Sequence, residues 1–149
     1  MFSRVSDEWA TPQAFFDALH AEFRFVFDAS ASHHNAKCGI YATREDDALA
    51  LAWRVRSVDG AVWMNPPYSR VREFMAKAAA EAGNGCTVVC LVPARTDTRW
   101  WHESVWNTTQ HRPRPGVEVR FVRGRLKFGG ATAGAPFPSV VVVFRPVVG

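Results

Sequence analysis

The tetrapeptide Asn65-Pro66-Pro67-Tyr68 has residue types that suit the recognition of an amino group. Proline has no amide hydrogen, so the backbone at Pro66 and Pro67 offers carbonyl acceptors, chiefly that of Pro66. The Asn65 side chain adds a second carbonyl acceptor beside it. Two acceptors can hold the two hydrogens of an exocyclic NH2 group, and the Tyr68 ring can stack against the ring that carries this group.

Such a pair of acceptors favours methylation of a planar NH2 group. The nitrogen lone pair is conjugated with its ring, and two converging acceptors favour the pyramidal geometry in which the nitrogen attacks a sulfonium methyl in line. Positive charge then develops on the nitrogen, where fixed carbonyl dipoles stabilise it without a metal. A purely structural interpretation also accounts for the same four residues, namely an ordinary polyproline-like turn after a strand.

A second candidate site follows an earlier segment of the chain. Phenylalanine recurs at every second position from Phe23 to Phe27, and this alternation predicts a strand that ends at Asp28. A ligand can approach the backbone closely at the small residues that follow. These residues are Ala29, Ser30, Ala31 and Ser32. Asp28 can equally cap the next turn, which is a common role for aspartate.

The elements that position these two sites alternate along the chain. Thr11 can cap a first helix that begins at Pro12. Further helices are expected from the Ser69 cap through Ala82, closed by Gly83, and over residues 97–106. Further strands are expected at residues 38–41, 61–64, 86–92, 117–122 and 139–144. Residues 47–55 are expected to form a weaker strand or a helical turn. Loops are expected at residues 112–116, 123–125 and 129–138. The pattern predicts a three-layer, Rossmann-like α/β fold whose sheet is mostly parallel, with an antiparallel hairpin near the C-terminus.

Length and composition restrict the class of protein. The chain has 149 residues, 48% of them hydrophobic, which predicts one folded domain and excludes a disordered protein. A membrane protein is not expected, since no run approaches the roughly 20 apolar residues that span a bilayer. Charges within residues 1–10 argue against an export signal. The three cysteines form no Cys-x-x-Cys pair, which favours reduced thiols, a cytoplasmic setting and no metal site.

Positive charge is concentrated in residues 95–127. This segment carries eight basic and three acidic side chains, a net charge of +5, whereas the whole chain carries +4. The asymmetry favours a surface that faces a polyanion, although a solvated face explains the charge equally well. The candidate phosphate contacts are Arg95, Arg123, Arg125 and Lys127.

Several blocks of the sequence resemble the small phage-type DNA N6-adenine methyltransferases, which depend on S-adenosylmethionine. Asn-Pro-Pro-Tyr is the amino-methyltransferase signature of enzymes that modify adenine N6. The other matching blocks follow in order over nearly the whole chain. They are Thr11-Pro12 and residues 27–32, 35–38, 49–53, 91–98 and 124–128.

The resemblance implies a role for each matching residue. Asn65 and the Pro66 carbonyl would hold the adenine amino group, and Tyr68 would stack on the extruded base. The implied cofactor-binding residues are Thr11, Pro12, Asp28, Ala29, Ser30 and Ala31. The chain departs from the family in having Ala-Ser-Ala-Ser where a glycine-rich loop is usual. The acid that binds the cofactor ribose is either Asp46 or Asp47. These two residues are explained equally well as part of a solvated run of charged side chains.

The resemblance also implies DNA as the partner, in the cytoplasm of a bacterial cell or a phage-infected host. Residues 1–149 are expected to form a single catalytic domain without a separate target-recognition domain. Recognition would then come from loops of this domain, from the second subunit of a homodimer, or be relaxed. Two alternatives stay open, namely the same reaction on RNA and a non-catalytic nucleic-acid-binding protein with this fold.

Overall fold

A computed structural model describes residues 10–130 and 134–147. Its strands are β1 (Phe25–Asp28), β2 (Ile40–Tyr41), β3 (Ala61–Met64), β4 (Val88–Pro93), β5 (Trp106–Asn107), β6 (Arg112–Pro113), β7 (Val117–Phe121) and β8 (Ser139–Phe144). Its α-helices are α1 (Gln13–Phe23), α2 (Val71–Gly83) and α3 (Arg99–Ser104).

One six-stranded sheet organises the described residues. Its strand order is β2-β1-β3-β4-β8-β7, and β5 pairs with β6 in a separate ribbon. Strands β1 to β4 are parallel to one another, whereas β8 runs antiparallel to both β4 and β7. This arrangement confirms the predicted α/β fold with a mostly parallel sheet and an antiparallel pair near the C-terminus.

Apolar residues cover both faces of the sheet, because successive side chains of a strand point to opposite sides. On one face, Val62 and Met64 pack in a cluster with residues of α2 and α3. On the other face, Trp63 packs in a cluster with Phe16 of α1. The predicted three layers are confirmed, and Trp53 and Trp63 lie in the core, where they are 0% and 1% exposed.

The carboxyl ends of β1 and β3 form a crevice, since the chain leaves β1 for β2 on one side and returns to β3 on the other. Backbone pairing continues past the strand ends. Ala29 donates its N–H to the Trp63 carbonyl, and Ala42 donates to the Asp28 carbonyl, both at 2.9 Å. The segment after Asp28 is therefore held firmly against both neighbouring strands.

Both helix starts at this edge differ from the prediction. Helix α1 begins at Gln13 with Pro12 as its N-cap, and no side chain caps it, so the prediction for Thr11 is wrong. Helix α2 begins at Val71 rather than after Ser69, because a 3-10 turn (Tyr68–Arg70) follows the prolines. It includes Gly83, which was expected to close it.

Other boundaries shift as well. Arg24 has a left-handed backbone (φ 58°), so Phe23 ends α1 and does not enter β1. Residues 47–55 form no strand but the 3-10 turns Ala48–Ala50 and Arg54–Arg56. The third helix is shorter than expected, because Trp106 pairs with Pro113 in the two-stranded ribbon. The same ribbon includes Arg112 and Pro113, which were expected to lie in a loop over residues 112–116. The strands expected at 38–41 and 86–92 are the shorter β2 and β4, and residues 131–133 of the expected loop lie outside the described ranges.

Among the described helices, no one is both long enough and apolar enough to cross a membrane. Of the charged segment at residues 1–10, which argued against an export signal, residues 1–9 lie outside the described ranges.

Candidate active site

A cavity of about 250 Å³ opens at the crevice between β1 and β3. Its walls include Asp28 and the small residues that follow it, together with Thr11 from the segment before α1 and Asn65 and Pro67 from the turn after β3. The structure therefore brings most of the two sequence-predicted sites together. Pro12, Pro66 and Tyr68 are not part of the cavity wall.

Asp28 organises the loop that forms one wall. Its side chain is 2% exposed, and its two oxygens accept hydrogen bonds from the backbone N–H groups of Ser30 (3.1 Å) and Lys37 (3.0 Å). Burial raises the pKa of the Asp28 carboxyl to about 7, although these two N–H donors act in the opposite direction. Asp28 therefore caps the turn that follows it, which was one of its two expected roles, and it also lines the cavity.

The two candidate ribose acids lie in different environments. Asp46 accepts hydrogen bonds from the backbone N–H (2.8 Å) and the hydroxyl (2.9 Å) of Thr43, and these bonds lower its pKa. Asp47 lines the cavity, with its backbone in the left-handed region at φ 53°. Of the two, Asp47 is therefore the acid that a ligand in the cavity can reach.

The Asn-Pro-Pro turn is anchored across the cavity wall. The Asn65 Nδ2 donates a hydrogen bond to the Thr11 Oγ1 at 3.0 Å, and Thr11 is 5% exposed. Pro66 is buried, whereas Pro67 faces the cavity. The hydroxyl that was expected to cap α1 is therefore a partner of the candidate catalytic amide.

Tyr68 lies beside the cavity rather than in its wall. Its half-buried ring makes an edge contact with Phe137, with ring centroids 5.0 Å apart. Burial raises the pKa of the Tyr68 hydroxyl, although the charge of Arg95 opposes this shift. Phe137 and Arg95 also line a second, more open hollow of about 230 Å³. Tyr68 thus lies between the cavity and this hollow.

The candidate phosphate contacts share the edge of the sheet that carries the cavity. Arg95 follows β4, and Arg123, Arg125 and Lys127, here termed the post-β7 cluster, follow β7. Strands β4 and β7 both run antiparallel to β8, so their carboxyl ends point the same way as those of β1 and β3. All four side chains are exposed.

Three other arginines of the basic segment are engaged within the protein. Arg120 forms salt bridges with Glu22 and Glu118, each at 2.7 Å. Arg114 donates to the His102 carbonyl at 3.1 Å, and Arg112 donates to the Gln110 side chain at 3.0 Å. The charge of Arg120 is therefore paired within the protein, whereas the His102 carbonyl and the Gln110 side chain are neutral partners that do not compensate the charges of Arg114 and Arg112.

Several cavity residues were missed by sequence reasoning. Lys37 lines the cavity and donates from Nζ to the Gln13 side chain at 2.8 Å. It belongs to a block that matches the family, which was the available signal. Arg44, Ser69, Arg70 and Phe74 also line the cavity and gave no such signal, because β2, the 3-10 turn and helix α2 bring them there. Within the described ranges, no group of three or more His, Cys, Asp or Glu side chains is arranged to hold a metal ion.

Comparison with known proteins gives consistent matches. Residues 1–149 match the family model described as DNA N-6-adenine-methyltransferase (Dam). The chain is 31% identical over 107 residues to the DNA N-6-adenine-methyltransferase of Escherichia phage T1, a match that covers 71% of this chain and 44% of that protein. It is 29% identical over 143 residues to the DNA N-6-adenine-methyltransferase of Haemophilus phage HP1 (strain HP1c1), covering 94% of this chain and 79% of that protein. The chain thus spans less than half the length of the phage T1 protein and most of the HP1 protein.

Proposed function

Because this chain belongs to the DNA N-6-adenine-methyltransferase family, we propose that it transfers a methyl group from S-adenosylmethionine to the N6 amino group of adenine in DNA. The observation that carries this proposal is one cavity with two kinds of wall. The loop after Asp28 forms one wall, and Asn65 and Pro67 of the turn after β3 form another. A methyl donor and a methyl acceptor can therefore meet in it.

The cavity residues fit S-adenosylmethionine in their chemistry. The small side chains of Ala29, Ser30 and Ala31 leave room beside the backbone at the carboxyl end of β1. The Asp47 carboxylate would accept hydrogen bonds from the ribose hydroxyls, and the Lys37 ammonium would pair with the carboxylate of the methionine moiety. The Asp28 carboxyl would face the cationic part of the ligand. The cofactor supplies the methyl group as an electrophilic sulfonium.

The Asn-Pro-Pro turn would hold the adenine amino group for attack. The Asn65 Oδ1 and the Pro66 carbonyl each accept one N–H of the amine, which turns its lone pair towards the methyl group. As positive charge develops on nitrogen, these two fixed dipoles stabilise it. A single preorganised dipole of this kind contributes about 10²–10³-fold to the rate of other enzymes.

The base would reach this turn from the side of Tyr68. Extrusion of a base from duplex DNA costs a few kcal/mol. Stacking on an aromatic side chain returns about 1–3 kcal/mol per base, and Tyr68, backed by Phe137, offers such a surface. Arg95 and the post-β7 cluster lie on the same edge of the sheet and would bind the flanking phosphates.

Methyl transfer to unmethylated duplex DNA tests the proposal. The purified chain should methylate adenine in DNA, and Asn65→Ala should lower kcat about 10²–10³-fold with cofactor binding retained in calorimetry. Asn84→Ala is the matched control, because Asn84 follows the far end of α2 and is exposed.

RNA of the same sequence, assayed in parallel, decides between the two nucleic acids. Full activity of Asn65→Ala would overturn the mechanism. Cofactor binding without methylation of DNA or RNA would favour the non-catalytic alternative.

A further inference from the structure

We propose that Thr11 is a positioning residue, whose hydroxyl holds the Asn65 carboxamide in the orientation that presents its oxygen to the amino group of the substrate. This inference rests on the proposed function. Its basis is the hydrogen bond from the Asn65 Nδ2 to the Thr11 Oγ1 at 3.0 Å. It assigns to Thr11 a role towards the substrate amine, in addition to any contact with the cofactor.

The Thr11 hydroxyl does not cap helix α1. Helix α1 takes Pro12 as its N-cap and uses no side-chain cap, so the hydroxyl is not engaged in closing the helix. Thr11 is 5% exposed, so water has little access to its side chain. The bond joins positions 54 residues apart and ties the segment before α1 to the turn after β3.

The chemistry of a carboxamide makes this bond consequential. The oxygen and the NH2 group of asparagine have nearly the same shape, and a half-turn of the group exchanges an acceptor for two donors. A substrate NH2 group needs the acceptor, because two facing NH2 groups cannot hydrogen-bond. In the productive orientation the Nδ2 group points the other way and needs an acceptor of its own, which Thr11 supplies. Without that acceptor, the productive orientation leaves a polar group unsatisfied away from water.

The expected effect follows from the net strength of one hydrogen bond. Thr11→Val keeps the shape of the side chain and removes the acceptor, so kcat should fall about 2- to 10-fold. Thr11→Ser keeps the hydroxyl and should restore kcat. The fall in kcat should persist at saturating S-adenosylmethionine, whatever contact Thr11 also makes with the cofactor. If the hydroxyl acted only by binding the cofactor, Thr11→Val would raise the dissociation constant of S-adenosylmethionine and leave kcat at saturation unchanged.

The test combines kinetics, calorimetry and a double-mutant cycle on the full chain. In an Asn65→Ala background, Thr11→Val should cause no further loss of kcat, since the group it positions is gone. In the free protein, the Nδ2 proton resonances of Asn65 should shift in Thr11→Val and be retained in Thr11→Ser. Thr11→Ala provides the same contrast if valine disturbs the fold.

Three outcomes would overturn the inference. They are an unchanged kcat in Thr11→Val, an additive loss in the double variant, and a rise in the cofactor dissociation constant that accounts for the whole effect. A wild-type chain without methyltransferase activity would instead refute the proposed function. In that case the Asn65 resonances still decide whether Thr11 holds the carboxamide.

Discussion

The buried carboxyl of Asp28 should make the stability of the free protein depend on pH. Its pKa is raised from the usual 3.8 to about 7, chiefly by burial. Between these two pH values the folded protein therefore holds a proton that the unfolded chain has lost. The stability that this group contributes is complete below pH 4 and falls as the pH rises towards 7. A shift of this size corresponds to about 4 kcal/mol of unfolding free energy.

Asp28→Asn isolates this contribution. The carboxamide has the shape of the carboxyl and stays neutral, and all other groups titrate alike in both proteins. The unfolding free energy of the wild type minus that of the variant should therefore fall by about 4 kcal/mol between pH 4 and pH 8. Urea denaturation at intervals of one pH unit measures this difference, and Asp59→Asn removes an exposed carboxyl as the matched control. A difference that stays constant over this range would refute the reasoning.

Two further predictions concern stability and DNA binding. Glu81 is 4% exposed, accepts a hydrogen bond from the Trp53 backbone N–H at 3.0 Å and pairs with Lys77 at 2.9 Å. Glu81→Ala should therefore lower the unfolding free energy by about 3–5 kcal/mol in urea denaturation, and a loss below 1 kcal/mol would contradict the importance of this contact. Alanine at all three positions of the post-β7 cluster should weaken DNA binding and reduce the slope of log K against log salt by roughly 3 in fluorescence titrations. An unchanged salt slope would mean that the DNA phosphates do not contact the post-β7 cluster. Arg72→Ala is the control, because Arg72 is an exposed arginine that is paired with Glu103.

Much of the fold was predictable because burial leaves a direct pattern in the sequence. The bounds of β3 and β8 agree with prediction, since every residue of both strands is buried. The helix starts were not predictable from the same rules. Capping rules consider near neighbours only, whereas the Thr11 hydroxyl is bonded to Asn65 on a different element.

In the candidate site, the parts defined by their own sequence were predictable, whereas the roles set by contacts in the folded structure were not. The Asn-Pro-Pro-Tyr turn and the loop after Asp28 carry recognisable chemistry in their own residues. In contrast, Asp46 and Asp47 are adjacent in sequence and identical in type, and only the structure separates them, by the Thr43 contact of Asp46 and the cavity position of Asp47. Arg120 likewise looks like the other basic residues of its segment until its two glutamate partners are placed beside it.

The position of β8 has a consequence for the order in which the sheet is completed. This strand comes last in the chain among the described strands, yet it lies between β4 and β7. During synthesis, β1 to β4 and the crevice at their carboxyl ends can pair before residues 139–144 emerge, whereas β7 must wait for its neighbour. Such long-range pairing is a slow step in folding. The half of the sheet that holds the reactive turn is thus able to assemble first, and the half that carries the post-β7 cluster is added when the final strand inserts.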